Sequence, residues 1–113
     1  MAAPQYQFEV QTTQEGTGAQ CPVGATASVH YTGRLLDGTV FDSSIPKGRP
    51  FKFKVGAGQV IKGWDVGVAQ LKIGQKANII CPPNYAYGPA GIPGVIPQNA
   101  TLIFEVELLG FDQ

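Results

Sequence analysis

Apolar and polar residues trade places at every second position through much of this chain, and that alternation limits the fold more than any other feature. Tyr6, Phe8 and Val10 alternate with Gln5, Gln7, Glu9 and Gln11, and Ala27, Val29 and Tyr31 with Ser28, His30 and Thr32. Phe51, Phe53 and Val55 alternate with Lys52 and Lys54, and Leu102, Phe104, Val106 and Leu108 with Ile103, Glu105, Glu107 and Leu109. Successive side chains of a strand point to opposite faces, so each run reads as an antiparallel strand with one face buried. A more apolar run, "KANIIC" (Lys76–Cys81), reads as a fifth strand. Asp37-Gly38 predicts a tight turn between "HYTGRLL" and "TVFD", while "EGTG" and "IGQ" mark other joints.

One segment departs from the period of two. In "VIKGWDVGVAQL", Ile61, Trp64, Val68 and Leu71 recur at helical spacing and share one apolar face. Gly63 and Gly67 each cost such a helix about 1 kcal/mol relative to alanine, so packing against the sheet has to hold it. The expected architecture is α+β: a five-stranded antiparallel sheet with one short helix over its buried face. No repeat or linker divides residues 1–113, and 113 residues suffice to bury a core, so a single domain is expected.

Charge and cysteine usage narrow the function. Eight basic residues balance eight acidic ones and neither sign forms a block, so no nucleic-acid or anionic-membrane partner is expected. The opening "MAAPQYQFEV" lacks the basic and apolar regions of a signal peptide, and no apolar run approaches membrane-spanning length. A cytoplasmic, reducing location is the expectation. Cys21 and Cys81 share no metal-type spacing and read as buried free thiols. With one histidine in the chain, no metal site is expected.

Familiar catalytic sets are also missing. His30 falls out of phase with Val29 and Tyr31 and reads as a surface or edge residue. Ser43-Ser44 has no nucleophile-elbow glycines, Asp37 is explained by its turn, and "GAGQ" lacks the lysine of a phosphate loop. Aromatic placement is the stronger signal. Six Phe, four Tyr and one Trp include Tyr31, Phe41, Phe51, Trp64, Tyr87 and Phe104, set where strands meet loops. The stretch "NYAYGPAGIPGVIP" adds an apolar loop too rich in proline and glycine for a helix or central strand. An apolar pocket with a few polar groups suits a small ligand, and Asp42 with the Tyr31 and Tyr87 hydroxyls are the polar candidates.

Three stretches, "VHYTGRLLDGTVFDSS", "PFKFKVGAGQVIKGWDVGVAQLKIGQKA" and "NYAYGPAGIPGVIPQNATLIFEVELL", resemble the FKBP-type peptidyl-prolyl cis-trans isomerases, the immunophilins that bind tacrolimus and rapamycin. The similarity runs in order from about Phe8 to Leu109. It implies a five-stranded sheet wrapped around a short helix, with the active pocket between them. It further implies Trp64 as the pocket floor and Tyr31, Phe41, Phe51, Val60, Ile61 and Phe104 as its walls. Asp42 becomes the pocket carboxylate, the Tyr87 hydroxyl and Ile61 N–H donors to ligand carbonyls, and Gln59 a backbone acceptor. Val95 and Ile96 become the apolar loop tip that closes one side. The catalytic group implied is Asp42, Tyr87, Trp64, Phe41 and Tyr31.

The implied activity is rotation about X–Pro bonds, without cofactor or metal, by a monomer acting on proline-containing peptides and proteins. Family members carrying a macrolide bind calcineurin or the TOR kinase through the region of Lys47–Arg49 and the loop at Ile92. Here Lys47 replaces a common arginine and cannot reproduce its planar fork beside Asp42. Ile92 replaces a common histidine, and Gln59 a frequent glutamate. Two other readings stand beside this one: a binding adaptor of the same fold with little isomerase activity, and a small β-rich carrier of an apolar ligand.

Overall fold

A computed structural model describes residues 6–112. Strands β1 (Glu9–Gln14), β2 (Thr26–Leu35), β3 (Val40–Ser43), β4 (Phe51–Lys54), β5 (Lys76–Cys81) and β6 (Leu102–Asp112) form one sheet. Its order is β1-β5-β6-β2-β3, with β4 also paired to β2, and every pairing is antiparallel. The α+β class is as the sequence implied, but there are six strands where five were expected. The additional one is β3, whose four residues are too few to display an alternation.

The ten-residue β2 is the spine. One edge pairs with β6 along its length, while the other serves β4 with Thr26–Val29 and β3 with Thr32–Arg34. Tyr31 therefore stands where two short strands part company. Its carbonyl accepts the Ser44 N–H at 3.0 Å, closing the backbone account at this junction.

The first strand starts later than its pattern suggests. Tyr6 to Phe8 are not paired, and Gln5 lies outside the described residues. Glu9 pairs with Ile80, and just beyond, Pro82-Pro83 supplies no N–H with which to continue the ladder. Phe8 instead stacks on Tyr85, ring centroids 4.6 Å apart.

Inward-facing residues of β2, β4, β5 and β6 form the core, among them Val29, Phe53, Ile79, Leu102, Val106 and Leu108. Helix α1 (Lys62–Gly67), continued by a 3-10 turn at Val68–Gln70, closes over this face and buries Trp64, Val68 and Leu71. Burying such side chains contributes roughly 1.5–3 kcal/mol each. That outweighs the two helical glycines. Both glycines are also sterically required: a Cβ on Gly67 would meet Ile79 Cδ1 at 2.9 Å, and one on Gly63 would run into Cys81 Sγ. Cys21 and Cys81 are free and buried, and burial pushes the Cys81 thiol up to about 12, leaving it unreactive.

The proline-glycine loop also has a regular part. Ile92 and Ile96 exchange backbone hydrogen bonds of 2.9 and 2.8 Å, and the Val95 N–H donates to Ile92 O at 3.0 Å. Pro93-Gly94 thus occupies the centre of a β-turn whose Gly94 takes φ +79°, the conformation that glycine adopts without strain.

Candidate active site

At the β3/β4 junction the inner face opens into a cavity of about 230 Å³, lined by Tyr31, Phe41, Asp42, Phe51, Gln59, Val60, Ile61, Trp64, Tyr87 and Phe104. Trp64 is the base of the aromatic assembly. Its ring meets Tyr31 at 4.8 Å, Phe104 at 5.3 Å and Phe51 at 5.7 Å, each at 76–85°. Phe41 meets Phe104 in the same edge-on manner at 5.6 Å. In such contacts the positive ring edge faces a negative ring face, contributing about 0.5–1.5 kcal/mol per pair beyond burial. The indole Nε1–H is buried with no acceptor among the described residues. An unpaired buried donor costs about 1–3 kcal/mol, so stability alone would not select tryptophan here.

Polar groups cluster on the β3 side. The Tyr31 hydroxyl donates to Asp42 Oδ2 at 2.7 Å, while Ser43 N–H and Lys47 Nζ donate to Asp42 Oδ1 at 2.9 and 3.3 Å. Burial raises the Asp42 carboxyl, but the Tyr31 bond and the bond and charge of Lys47 outweigh it, and the group settles below its ordinary value. Burial and the neighbouring carboxylate push both Tyr31 and Tyr87 upward, so they stay neutral. At neutral pH the site therefore holds one fixed anion and two hydroxyl donors. Lys47 does reach Asp42, but through a single contact, as a point charge does.

Ten of the twelve residues expected from the sequence thus share one cavity. Val95 and Ile96 are not among its lining. The Ile92–Ile96 turn draws Ile96 into the core at 4% exposure and directs Val95 to solvent at 51%. Tyr87 alone represents that loop in the wall. A second hollow of about 370 Å³ lies on the outer face of the sheet, where His30, Thr32, Lys76, Asn78, Glu105 and Glu107 are among its lining residues. His30 is tied there to Ser44, Nδ1 to Oγ 2.8 Å, which fits its reading as a residue with local hydrogen bonds.

Comparison with known proteins decides what the cavity belongs to. Residues 18–109 match the model of the FKBP-type peptidyl-prolyl cis-trans isomerases. The chain is 60% identical to FK506-binding protein 1 of Rhizopus delemar over 88% of its length and 94% of that protein. It is also 60% identical to the Drosophila melanogaster peptidyl-prolyl cis-trans isomerase Fkbp12, over 83% of this chain and 88% of that one. FK506-binding protein 1 of Saccharomyces cerevisiae is 55% identical over 83% of both. The chain belongs to the FKBP-type peptidyl-prolyl cis-trans isomerases. It is an enzyme of that family, and the reading as an unrelated β-rich carrier falls away.

In this isomerase, supporting contacts that sequence reading passed over hold the cavity's edges. Both carboxylate oxygens of Asp65, in the first turn of α1, accept loop N–H groups: Gly56 at 2.9 Å and Gly58 at 3.0 Å. Gln59 Oε1 accepts the Lys54 N–H at 2.9 Å. The loop before Val60 and Ile61 is thereby pinned to the helix on one side and to β4 on the other. Ser44, 2% exposed, accepts the Tyr31 N–H at 2.8 Å and steadies the junction. An acidic residue soon after "GAG" was the available signal for Asp65; nothing local marks Ser44.

Proposed function

We propose that this isomerase rotates X–Pro bonds inside the aromatic cavity, with the proline ring seated on Trp64. The observation that carries the reading is the combination of a rigid aromatic floor, an ionised Asp42 and hydroxyl donors in one cavity. Rotation about the partly double C–N bond faces a barrier of roughly 18–20 kcal/mol but breaks no bond. No nucleophile is needed. Two effects lower the barrier. The planar amide is more polar than the twisted one, so an apolar cavity withholds solvation that favours the ground state. The cavity's shape and donors then favour the twisted geometry, and each 1.4 kcal/mol or so of that preference gives about tenfold in rate.

Trp64 holds the ring while the preceding carbonyl turns. Tyr87 OH and the Ile61 N–H, which has no acceptor among the described residues, serve the ligand's carbonyls. Asp42, saturated by Tyr31, Ser43 and Lys47, acts as a fixed charge and not as a base. Phe41, Phe51, Val60 and Phe104 enclose the ring, and the Gln59 carbonyl accepts from the ligand. Tacrolimus and rapamycin occupy the same cavity. The names of the FK506-binding relatives support that reading. The drug complex would then present the Lys47 and Ile92 surfaces to calcineurin or the TOR kinase.

The test is a protease-coupled assay on a Leu-Pro peptide, with and without rapamycin. Turnover abolished by the drug at stoichiometric concentration is expected. Unchanged turnover in a folded Trp64→Ala, Asp42→Ala double variant would sink the assignment. Inhibition of calcineurin by the tacrolimus complex checks the partner.

A further inference from the structure

One side of the cavity is made by a segment that hardly bonds to itself. Residues 56–60, "GAGQV", lead from β4 towards α1, and Gln59, Val60 and Ile61 line the cavity. Among the described residues, the main chain of 56–60 makes one backbone–backbone hydrogen bond, Ala57 N–H to Lys54 O at 3.4 Å. With two glycines and residues 56–59 exposed, such a segment has much conformational freedom to lose on folding. What orders it has to act from outside.

That outside hold is Asp65. Its Oδ1 accepts the Gly56 N–H at 2.9 Å and its Oδ2 the Gly58 N–H at 3.0 Å. Gly56 and Gly58 take φ +81° and +74°, the left-handed conformation that other residues reach only with strain, and so bring both N–H groups onto one carboxylate. The far end of the segment closes on the same residue. The Asp65 N–H donates to Ile61 O at 3.2 Å, beside the Trp64 N–H at 3.0 Å. Both ends of 56–61 thus converge on the residue that follows Trp64. A role within the helix alone, as an acidic group in its first turn, would need neither oxygen on the loop.

We propose that Asp65 is a positioning residue of the isomerase: its carboxylate sets segment 56–61 so that the Ile61 N–H and the Gln59 carbonyl meet the substrate's main chain. The proposal rests on the cavity being the prolyl site. Asp65 acts through the loop and touches no reacting atom. The groups it sets hold the main chain beside the rotating bond in planar and twisted geometries alike, so their placement governs affinity more than the rate of rotation. Main-chain groups read no side chain, so the effect is the same whichever residue precedes the proline. An amide is no substitute for the carboxylate. Asp65→Asn leaves one acceptor oxygen for two N–H groups and turns an NH2 donor towards the second, whereas Asp65→Glu keeps both oxygens.

The test titrates Leu-Pro and Ala-Pro peptides into wild type, Asp65→Asn and Asp65→Glu, with NMR line shapes giving Kd and the rate of rotation on the enzyme separately. Affinities are referred to folded protein, read from the same spectra, so destabilisation alone does not register. Asp65→Asn should weaken both peptides by the same factor, about three- to tenfold, the range of one lost hydrogen bond, with the bound rate within about twofold of wild type. The Gly56 or Gly58 amide should also lose protection from hydrogen exchange. Asp65→Glu should recover most of the affinity and the protection. Unchanged affinity in Asp65→Asn overturns the proposal, as does a loss confined to one peptide, a loss in the bound rate with affinity kept, or equal losses in the two variants. Failure of the prolyl-site reading looks different: in wild type, the Leu-Pro peptide would leave the Trp64 indole N–H signal unmoved.

Discussion

Trp64 and Tyr87 line the same cavity under opposite conditions. Trp64 is 4% exposed and meets the rings of Tyr31, Phe51, Phe53 and Phe104 within 4.8–5.7 Å. Tyr87 is 40% exposed, on a loop, with no ring neighbour among the described residues. The floor of the site is therefore the core of the protein, while its rim is merely attached to it. On the proposed assignment of the cavity, a change at the floor should register in stability and in catalysis together, and a change at the rim in catalysis alone. Asp42 lies between the two, half-exposed but tied to the floor through Tyr31.

Replacing Trp64 by alanine should have the largest effect. It empties a buried site, with an expected loss of about 3–5 kcal/mol in denaturant unfolding. It should also lower kcat/KM about a hundredfold, roughly 2.7 kcal/mol of transition-state stabilisation. Trp64→Phe should recover most of the stability and less of the activity. A Trp64→Ala protein as stable as wild type would break the identity of floor and core.

Tyr31→Phe is the intermediate case. It removes one hydrogen bond to Asp42, costing about 0.5–1.5 kcal/mol of stability, more if the carboxylate is left short of donors. Turnover should fall several-fold. A double-mutant cycle with Asp42→Asn should show coupling of about 1 kcal/mol, and additive losses would mean the Tyr31–Asp42 bond carries no energy of its own.

At the rim, Tyr87→Phe should lower kcat/KM about two- to tenfold while the unfolding free energy stays within about 0.5 kcal/mol of wild type. A matched loss of stability would show that the loop belongs to the core after all.

The pH dependence should be the smallest effect. Asp42 sits below its ordinary value in the fold, so its contribution to stability is complete above about pH 4 and is lost as pH falls through the folded value. Tyr31 and Tyr87 sit above theirs, so their contribution is complete below about pH 10 and is lost at higher pH. Between those limits no group of the site changes charge. kcat/KM should be flat from about pH 5 to 9, and a bell centred in that range would mean that proton transfer takes part in the reaction.

Most of the fold, and ten of the residues that line the candidate cavity, are legible in the amino-acid sequence. Alternation marks the inward faces of β2, β4, β5 and β6, and the spacing of Trp64, Val68 and Leu71 sets the helix against them. The features that escape such reading share one cause. β3 is too short to show a period, and the start of β1 is set by Pro82-Pro83, far along the chain. The loop at Ile92–Ile96 has the composition of a uniformly apolar wall, yet a single Pro-Gly turn sends neighbours Val95 and Ile96 to opposite environments. Asp65 and Ser44 give little local sign because their partners, Gly56, Gly58 and Tyr31, lie in other segments.

Periodicity is written residue by residue into the chain, and with it come the fold class and the set of inward-facing side chains, because side-chain direction follows from local backbone geometry. The motifs that mark the family are local in the same sense. Strand order is not, nor is the division of inward residues between those that border a cavity and those that fill the core. Those outcomes depend on which distant backbones pair, and the junction where β2 exchanges β4 for β3 at Tyr31 exists in no single stretch of the chain.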